Sequence, residues 1–246
     1  MRSLILVVCL LISPSVLALE LKSTAQQATM IELYTSEGCS SCPPADRWIS
    51  TLRQDERLWQ DLVPIAFHVD YWNYLGWEDR FASPAYAARQ RDYRRVGGAS
   101  AVYTPGMFAS GREWRGWRQR SASIPTFTTS PGVLAFRLQG DSFAASFAAE
   151  ESGPEHLELY VAILGFDLET SVRAGENRGE LLRHDFVVLG MQRYSGVMAW
   201  SGALPNAPLA GEAGKLALVA WVGEAGKPAP LQAVGGWLPV EGFSAR

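Results

Sequence analysis

The segment 38–44, which reads Gly-Cys-Ser-Ser-Cys-Pro-Pro, constrains the fold more than any other part of the chain. It follows a short apolar run at 30–34 and precedes a helical pattern of apolar residues at 45–52. Cys39 and Cys42 are thus placed at a strand-to-helix turn, where two cysteines separated by two residues can close a disulfide and where a thiolate is favoured. Three interpretations are open: redox chemistry, metal binding and a local structural bridge.

Residues 1–18 have the features of a secretory signal peptide. Arg2 supplies a positive charge, and residues 4–12 form an apolar stretch that is too short to span a bilayer. Ala18 is a small residue at a suitable cleavage point. A buried N-terminal strand or helix is the alternative. We therefore expect a secreted or periplasmic protein, cleaved near Ala18, with no stable membrane insertion.

Composition and charge narrow the function classes. Apolar residues make up 48% of the chain and charged residues 19%, which is typical of a globular protein with a sizeable core. The net charge of −3 gives no basic field for nucleic acid, so no nucleic-acid partner is expected. Signal cleavage would remove Cys9 and leave Cys39 and Cys42 as the only cysteines. In an oxidising compartment we expect a disulfide between them.

The first part of the chain, residues 19–125, shows the patterns of an α/β domain. Strands are expected at 30–34 and 62–70, and their near-continuous apolar character is typical of a parallel sheet. Helices are expected to follow each of them, the first from about Cys42 and the second from Pro84 to Arg95. A strand and hairpin then cover 102–117, whereas residues 19–27 are expected to be an unstructured lead-in.

The second part, residues 126–246, has a different pattern of apolar and turn residues. Short alternating runs separated by turn residues predict a mainly antiparallel, β-sandwich-like domain. The expected strands are 133–138, 142–148, 156–164, 186–189, 216–222 and 231–238. The sequence thus predicts two domains, 19–125 and 126–246, after a signal peptide at 1–18.

Two motifs of the first part resemble the thioredoxin-like superfamily. They are the Cys39-Ser40-Ser41-Cys42 turn and the later Thr104-Pro105 pair. The resemblance implies a thioredoxin-like domain in which Pro105 has a cis peptide bond and faces the cysteines.

A narrower resemblance, over nearly the whole mature chain, is to DUF1223, an exported family of unknown function. Four ordered segments carry it, at 33–46, 68–77, 103–105 and 175–179, the last reading Gly-Glu-Asn-Arg-Gly. For this last loop a structural role is favoured over partner binding.

The first hypothesis for function is therefore an exported thiol–disulfide oxidoreductase. Cys39 precedes the helix and is expected to attack, while Cys42 lies in its first turn and is expected to resolve the mixed disulfide. Thr104 and Pro105 would shape the groove for a protein or small-molecule thiol or disulfide. The resemblance also implies that Glu32 relays a proton to the resolving cysteine. No cofactor is expected.

One departure from thioredoxin concerns the helix start. Pro43 and Pro44 stand where thioredoxin has a basic residue, and a residue before proline is disfavoured in the α region. The turn at Cys42 is therefore expected to depart from a regular helix start. Glu37, beside the motif, is expected to be exposed.

Two further hypotheses come from other function classes. Cys39, Cys42 and His68 form a set of ligands suited to copper or zinc. Alternatively, the chain is a non-catalytic binding protein whose disulfide is structural. A reduction potential below about −300 mV would indicate the structural role.

Overall fold

The computed structural model of the protein describes residues 18–119, 123–150 and 153–239. Apart from Ala18, the predicted signal peptide lies outside the described residues. The first part contains five strands and two α-helices. In chain order they are β1 (Ala18–Lys22), β2 (Thr29–Thr35), α1 (Pro43–Thr51), β3 (Leu62–His68), α2 (Pro84–Arg95), β4 (Gly106–Ala109) and β5 (Arg112–Glu113).

The remainder of the described chain is built from strands. They are β6 (Gly132–Gln139), β7 (Ser142–Ala149), β8 (Leu157–Phe166), β9 (Leu168–Ser171), β10 (Leu181–His184), β11 (Val187–Gly196), β12 (Ala199–Ala203), β13 (Lys215–Glu224) and β14 (Pro230–Trp237). The protein is therefore mostly β. No helix among the described residues is long and apolar enough to cross a membrane.

A mixed eight-stranded sheet forms the centre of the molecule, in the order β14-β13-β8-β11-β3-β2-β4-β5. Strand β3 pairs parallel with both β2 and β11, and the other neighbours are antiparallel. Parallel pairing of β2 with β3 requires a crossover, which α1 supplies. Every residue of these two strands is buried, so the predicted parallel, doubly covered pair is confirmed.

Two apolar cores lie on the sheets. One joins the helices to β2 and β3, with Ile49 of α1 and Tyr93 of α2 among its members. The other lies between the central sheet and a four-stranded antiparallel sheet in the order β1-β6-β7-β12. Phe136 and Phe143 of the smaller sheet and Ile163 of β8 belong to it. Each such large buried side chain stabilises the fold by about 1.5–3 kcal/mol.

Strand β1 corrects the sequence-based expectation for residues 19–27. It pairs antiparallel with β6, from Ala18 opposite Gln139 to Lys22 opposite Ala135. A five-residue alternation is too short to identify a strand locally, and the hydrogen-bonding partner lies more than a hundred residues away. Residues 19–22 of the predicted lead-in thus belong to an edge strand of the smaller sheet, whereas residues 23–27 lie in no strand or helix.

The central sheet also contains strands from both sides of the predicted boundary at 125/126. Val187 of β11 lies opposite Ala66 of β3, and the Ala66 N–H donates to the Phe186 carbonyl at 2.8 Å. The division into two domains stays a prediction, but the sheet itself is continuous across it.

The helix starts follow from local chemistry. Pro43 and Pro44 occupy the first turn of α1, where a missing N–H leaves no hydrogen bond unmade. Cys42 is the N-cap with α-region φ and ψ, so the expected departure from a regular start is wrong. In α2, the Ser83 hydroxyl accepts from the Ala85 N–H at 3.3 Å, and Pro84 follows the cap.

Candidate functional site

Cys39 and Cys42 form a disulfide in the turn between β2 and α1, with the Cα atoms 5.5 Å apart. The predicted bridge is therefore confirmed. Backbone hydrogen bonds hold the turn: the Cys39 N–H donates to the Ser36 carbonyl, and the Cys42 N–H donates to the Cys39 carbonyl, both at 3.1 Å. The pair thus sits at the carboxyl end of a central strand, where functional residues collect in open sheets.

The helix start offers the sulfur atoms few donors. Pro43 and Pro44 have no N–H, and the Ala45 N–H donates to the Cys42 carbonyl at 2.8 Å. The Ser41 hydroxyl Oγ lies 3.4 Å from Cys39 Sγ. A thiolate at Cys39 would therefore draw its stabilisation from this hydroxyl more than from free amides of the helix.

Both sulfur-bearing residues are covered, since Cys39 is 1% exposed and Cys42 is 0% exposed. One part of the cover is the aromatic segment after β3. A Cβ added at Gly38 would lie 2.9 Å from the Cβ of Trp72, so only glycine fits there. The Trp77 indole N–H donates to Glu37 Oε2 at 2.8 Å. The aromatic segment is thus a wall of the site.

The other part of the cover is the loop at 175–179 between β9 and β10. The Asn177 amide donates to the carbonyls of Glu37 at 2.8 Å and Cys39 at 3.0 Å. Glu176 Oε2 accepts from the backbone N–H of Ser40 at 3.0 Å and from its hydroxyl at 2.7 Å. The structure therefore brings the Gly-Glu-Asn-Arg-Gly motif onto the cysteine turn, a contact that the sequence did not reveal.

Below the disulfide turn lies a cluster of five buried ionisable side chains. They are Glu37, Asp46, His68, Asp79 and His184. His68 Nδ1 lies 2.7 Å from Asp79 Oδ2, and His184 Nε2 lies 3.4 Å from Glu37 Oε1. The two imidazole rings meet edge to face with their centroids 4.9 Å apart. The cluster adjoins the cysteines directly, because the Asp46 N–H donates to the Cys42 carbonyl at 3.2 Å.

Burial and neighbouring charges set the protonation of this cluster. Burial alone lowers the pKa of His68, but the negative charges of Asp79, Asp46 and Glu37 raise it to about 9. Burial opposes ionisation of Asp79, whereas the adjacent His68 charge lowers its pKa below the usual value. Burial raises the pKa of Asp46. At neutral pH the histidine is thus a buried cation balanced by Asp79.

Thr104 and Pro105 precede β4, which pairs with β2, the strand that leads into the cysteine turn. Their peptide bond is cis, as the resemblance implied, and Gly106 after it pairs with Tyr34 near the end of β2. The Trp72 indole N–H donates to the Thr104 hydroxyl at 2.7 Å. Trp72 therefore lies between the proline segment and the cysteine turn, since its Cβ packs against Gly38.

Glu32 has other partners than the cysteines. Its oxygens accept from Arg89 at 2.8 and 3.0 Å, from the Tyr34 hydroxyl at 3.0 Å and from the Tyr93 hydroxyl. The group is a buried ion pair that ties β2 to α2. The carboxylate is thus engaged by α2 and Tyr34, and the proton relay to Cys42 that the resemblance implied stays a prediction.

The structure does not assemble the ligand set expected for copper or zinc. Cys39 and Cys42 are joined to each other, and His68 binds Asp79. Within residues 18–119, 123–150 and 153–239, no group of three or more His, Cys, Asp and Glu side chains is placed to hold a metal ion.

Several residues of the site escaped the sequence analysis. Glu37 was expected to be exposed but is 0% exposed, because Trp77 and His184 enclose its carboxylate. Asp46 carried a usable signal, since it lies four residues after Cys42 and so on the same helix face. Asp79 and His184 follow no local pattern, and only the tertiary fold brings them to the cysteines.

The fold and the site define a mostly β protein with a mixed central sheet and a Cys-x-x-Cys disulfide at a strand-to-helix turn. Residues 30–223 match the model of a family described as a protein of unknown function, DUF1223. The chain belongs to this family, as its motifs predicted. No curated protein matches the chain significantly.

Two solved structures resemble the chain. One is the crystal structure of a protein from Agrobacterium tumefaciens, with 26% sequence identity and a TM-score of 0.57, covering 90% of this chain and 99% of the other. The second is HBP35 of Porphyromonas gingivalis, with 13% identity and a TM-score of 0.55, covering 90% of this chain and 80% of the other. The second likeness concerns the fold alone.

Proposed function

We propose that the protein is an exported thiol–disulfide oxidoreductase that acts through Cys39 and Cys42. The observation that carries the proposal is a disulfide at the carboxyl end of β2, with Trp72 linking its turn to the Thr104–Pro105 segment. A bridge that closes so short a loop adds little to stability by chain entropy. A role in thiol–disulfide exchange therefore accounts for the Cys39–Cys42 disulfide better than a role in stabilising the fold.

The proposal includes a thioredoxin-like arrangement of residues 19–125. In favour of it, β2, α1, β3, α2, β4 and β5 follow one another as expected for that fold. Strands β2 and β3 are parallel, and β4 and β5 return antiparallel beside β2. The cysteines follow the first of these strands, and the cis proline precedes β4.

The proposed reaction needs only thiols and disulfides. A substrate thiolate attacks Cys39 Sγ, the Cys39–Cys42 bond breaks, and its electron pair leaves with Cys42 as a thiolate. The second substrate thiol then displaces Cys39, so the substrate becomes a disulfide and the protein a dithiol. Two electrons pass from the substrate to the protein, and the reverse sequence reduces a substrate disulfide. The substrate is a protein or small-molecule thiol or disulfide of the exported compartment.

Single cysteine variants test the proposal. Cys39→Ser should abolish dithiol-dependent reduction of a model protein disulfide, because the attacking sulfur is missing. Cys42→Ser should accumulate mixed disulfides with Cys39, which non-reducing electrophoresis and mass spectrometry detect. A double Cys39→Ser, Cys42→Ser variant is the matched control and should form none. Wild-type protein that neither oxidises thiols nor reduces disulfides would contradict the proposal.

One observation favours a second candidate, a binding protein with a structural disulfide. Both cysteines are almost fully buried, which is unusual for a disulfide that must meet a substrate. Equilibration with redox buffers separates the two functions. A reduction potential below about −300 mV favours the structural bridge, and a potential near that of the glutathione pool favours exchange.

A further inference from the structure

The cover over the disulfide consists partly of a hairpin that belongs to neither large sheet. Strands β9 and β10 form a separate two-stranded sheet, with Leu168 opposite His184 at its base and Ser171 opposite Leu181 at its far end. An isolated two-stranded hairpin is marginally stable without further packing. Its position therefore depends on the face that it buries against the body of the molecule and on the contacts at its two ends.

The base of the hairpin is held firmly. Arg53, after α1, donates to Asp167 at 2.5 Å and to Asp185 at 2.8 Å, and these two residues flank the hairpin. The Asp167 N–H also donates to the Asp185 carboxylate at 3.0 Å. His184 packs against His68 in the buried cluster. The base thus stays with the body of the molecule.

The tip, residues 172–180, is closed by its own backbone hydrogen bonds. The Val172 N–H donates to the Glu180 carbonyl at 3.0 Å, and the Gly179 N–H donates to the Val172 carbonyl at 2.9 Å. Gly175 and Gly179 have φ of 74° and 92°, values that permit this tight loop. Because these internal hydrogen bonds do not involve the cysteine turn, separation of the tip from the turn would leave them intact.

Only two side chains hydrogen-bond the tip to the cysteine turn among the described residues. Glu176 accepts two hydrogen bonds from Ser40, and Asn177 donates two to the carbonyls of Glu37 and Cys39. Ser40 is exposed while Cys39, its neighbour, is 1% exposed. The disulfide therefore lies just beneath the surface, and two side chains fasten the tip to its turn, in addition to the packing of buried Val172 and of Gly175 near Trp77.

We propose that the tip 172–180 is a lid over the Cys39–Cys42 disulfide, and that Glu176 and Asn177 are its latch. With the lid closed, a thiol cannot reach Cys39 Sγ. With the lid open, an external dithiol attacks that sulfur, Cys42 leaves as a thiolate, and the second thiol releases Cys39, so two electrons enter the protein. The inference concerns the same disulfide as the proposed function, and it assigns the second half of the chain a part in controlling it.

The rate of disulfide reduction by dithiothreitol tests the lid directly. Native protein is incubated with the reductant, samples are alkylated, and intact mass reports the fraction reduced. When opening and closing are fast, the observed rate is proportional to the open fraction. Glu176→Ala and Asn177→Ala should each accelerate reduction about tenfold, because each variant removes two hydrogen bonds of the closed state.

Glu180→Ala is the matched control, with the same change of charge on the same loop. Its side chain is exposed and forms no hydrogen bond or ion pair in the described part of the chain, so its reduction rate should stay within about twofold of wild type. Ser40→Ala should also accelerate reduction, and its effect should not add to that of Glu176→Ala, because both variants break the same contact.

Amide hydrogen exchange keeps the test independent of general destabilisation. Exchange should rise in residues 172–180 of the latch variants and stay unchanged in β8 and β13 of the central sheet. Wild-type reduction rates in both latch variants would overturn the lid, as would faster exchange of the central strands in parallel with reduction. Because the test measures chemical access alone, lid variants that reduce faster but catalyse no exchange would refute the proposed function and leave the lid intact.

Discussion

The buried His68–Asp79 ion pair makes the stability of the protein fall as the pH rises above neutrality. His68 Nδ1 and Asp79 Oδ2 are 2.7 Å apart, and both side chains are 0% exposed. Burial disfavours the charged imidazole, but the carboxylates of Asp79, Asp46 and Glu37 outweigh it and raise the pKa of His68 from 6.5 to about 9. The folded protein therefore holds a proton that the unfolded chain releases near pH 6.5.

The direction in which stability changes with pH follows from the raised pKa of His68. Below pH 6.5 the histidine is protonated in both states, and the ion pair contributes fully to stability. Between pH 6.5 and about 9 the folded state binds one more proton than the unfolded state, so the free energy of unfolding falls by up to about 1.4 kcal/mol per pH unit. The accumulated loss over this window is about 3 kcal/mol, and above pH 9 the contribution is gone.

Urea unfolding of the oxidised protein at pH values from about 6 to about 9.5 measures this loss. His68→Gln removes the titrating group and serves as the reference, since the difference between the two proteins isolates the histidine from other groups. Asp79→Asn removes the negative charge that pairs with His68, so it should also make the free energy of unfolding depend less on pH. If wild type and His68→Gln lose stability in parallel across the window, His68 is not a buried cation and the reasoning fails.

Two further predictions concern the packing that positions the site. Arg89→Met should lower the free energy of unfolding by about 3–5 kcal/mol in urea, because it leaves Glu32 as a buried charge without its partner; a loss below about 1 kcal/mol would contradict the ion pair. Gly190→Ala should cost about 2 kcal/mol or more, since the new Cβ would meet the Asn206 carbonyl oxygen at 2.0 Å. Gly211→Ala, with no atom within 4 Å of the new Cβ, is its control and should be nearly neutral; equal losses in the two variants would refute the steric argument.

The strands and helices that the sequence predicted well are those whose own residues show a clear pattern. Strands β2 and β3 are mostly apolar runs, and α2 begins at Ser83-Pro84 and ends before a glycine pair. Strands β9, β10 and β12 were missed because they have four or five residues each, too few for a reliable alternation. Their existence depends on partners that the chain reaches only after folding.

The residues of the site likewise divide into those that a short segment of sequence identifies and those that only tertiary contacts bring together. The Cys39–Cys42 pair and Pro105 were identified because their residue types and spacing are distinctive in themselves. Asp79 was missed because an isolated Asp in a loop is ordinary in sequence, and Asn177 was noticed only as part of the 175–179 motif, without its contact with the cysteine turn. Glu32 was assigned a role by resemblance, and its ion pair with Arg89 became visible only when α2 was placed against β2.

The cysteine site is completed by the part of the chain that the sequence assigned to a separate domain. His184 joins the buried cluster, and Asn177 and Glu176 bind the cysteine turn, although all three lie beyond residue 125. Strand β11 pairs with β3 and so fixes the hairpin that carries them. Residues 19–125 alone would therefore lack these hydrogen bonds to the cysteine turn and a buried partner of Glu37. The surroundings of Cys39 and Cys42 are therefore built by residues from both sides of the predicted boundary, whichever way the domains are divided.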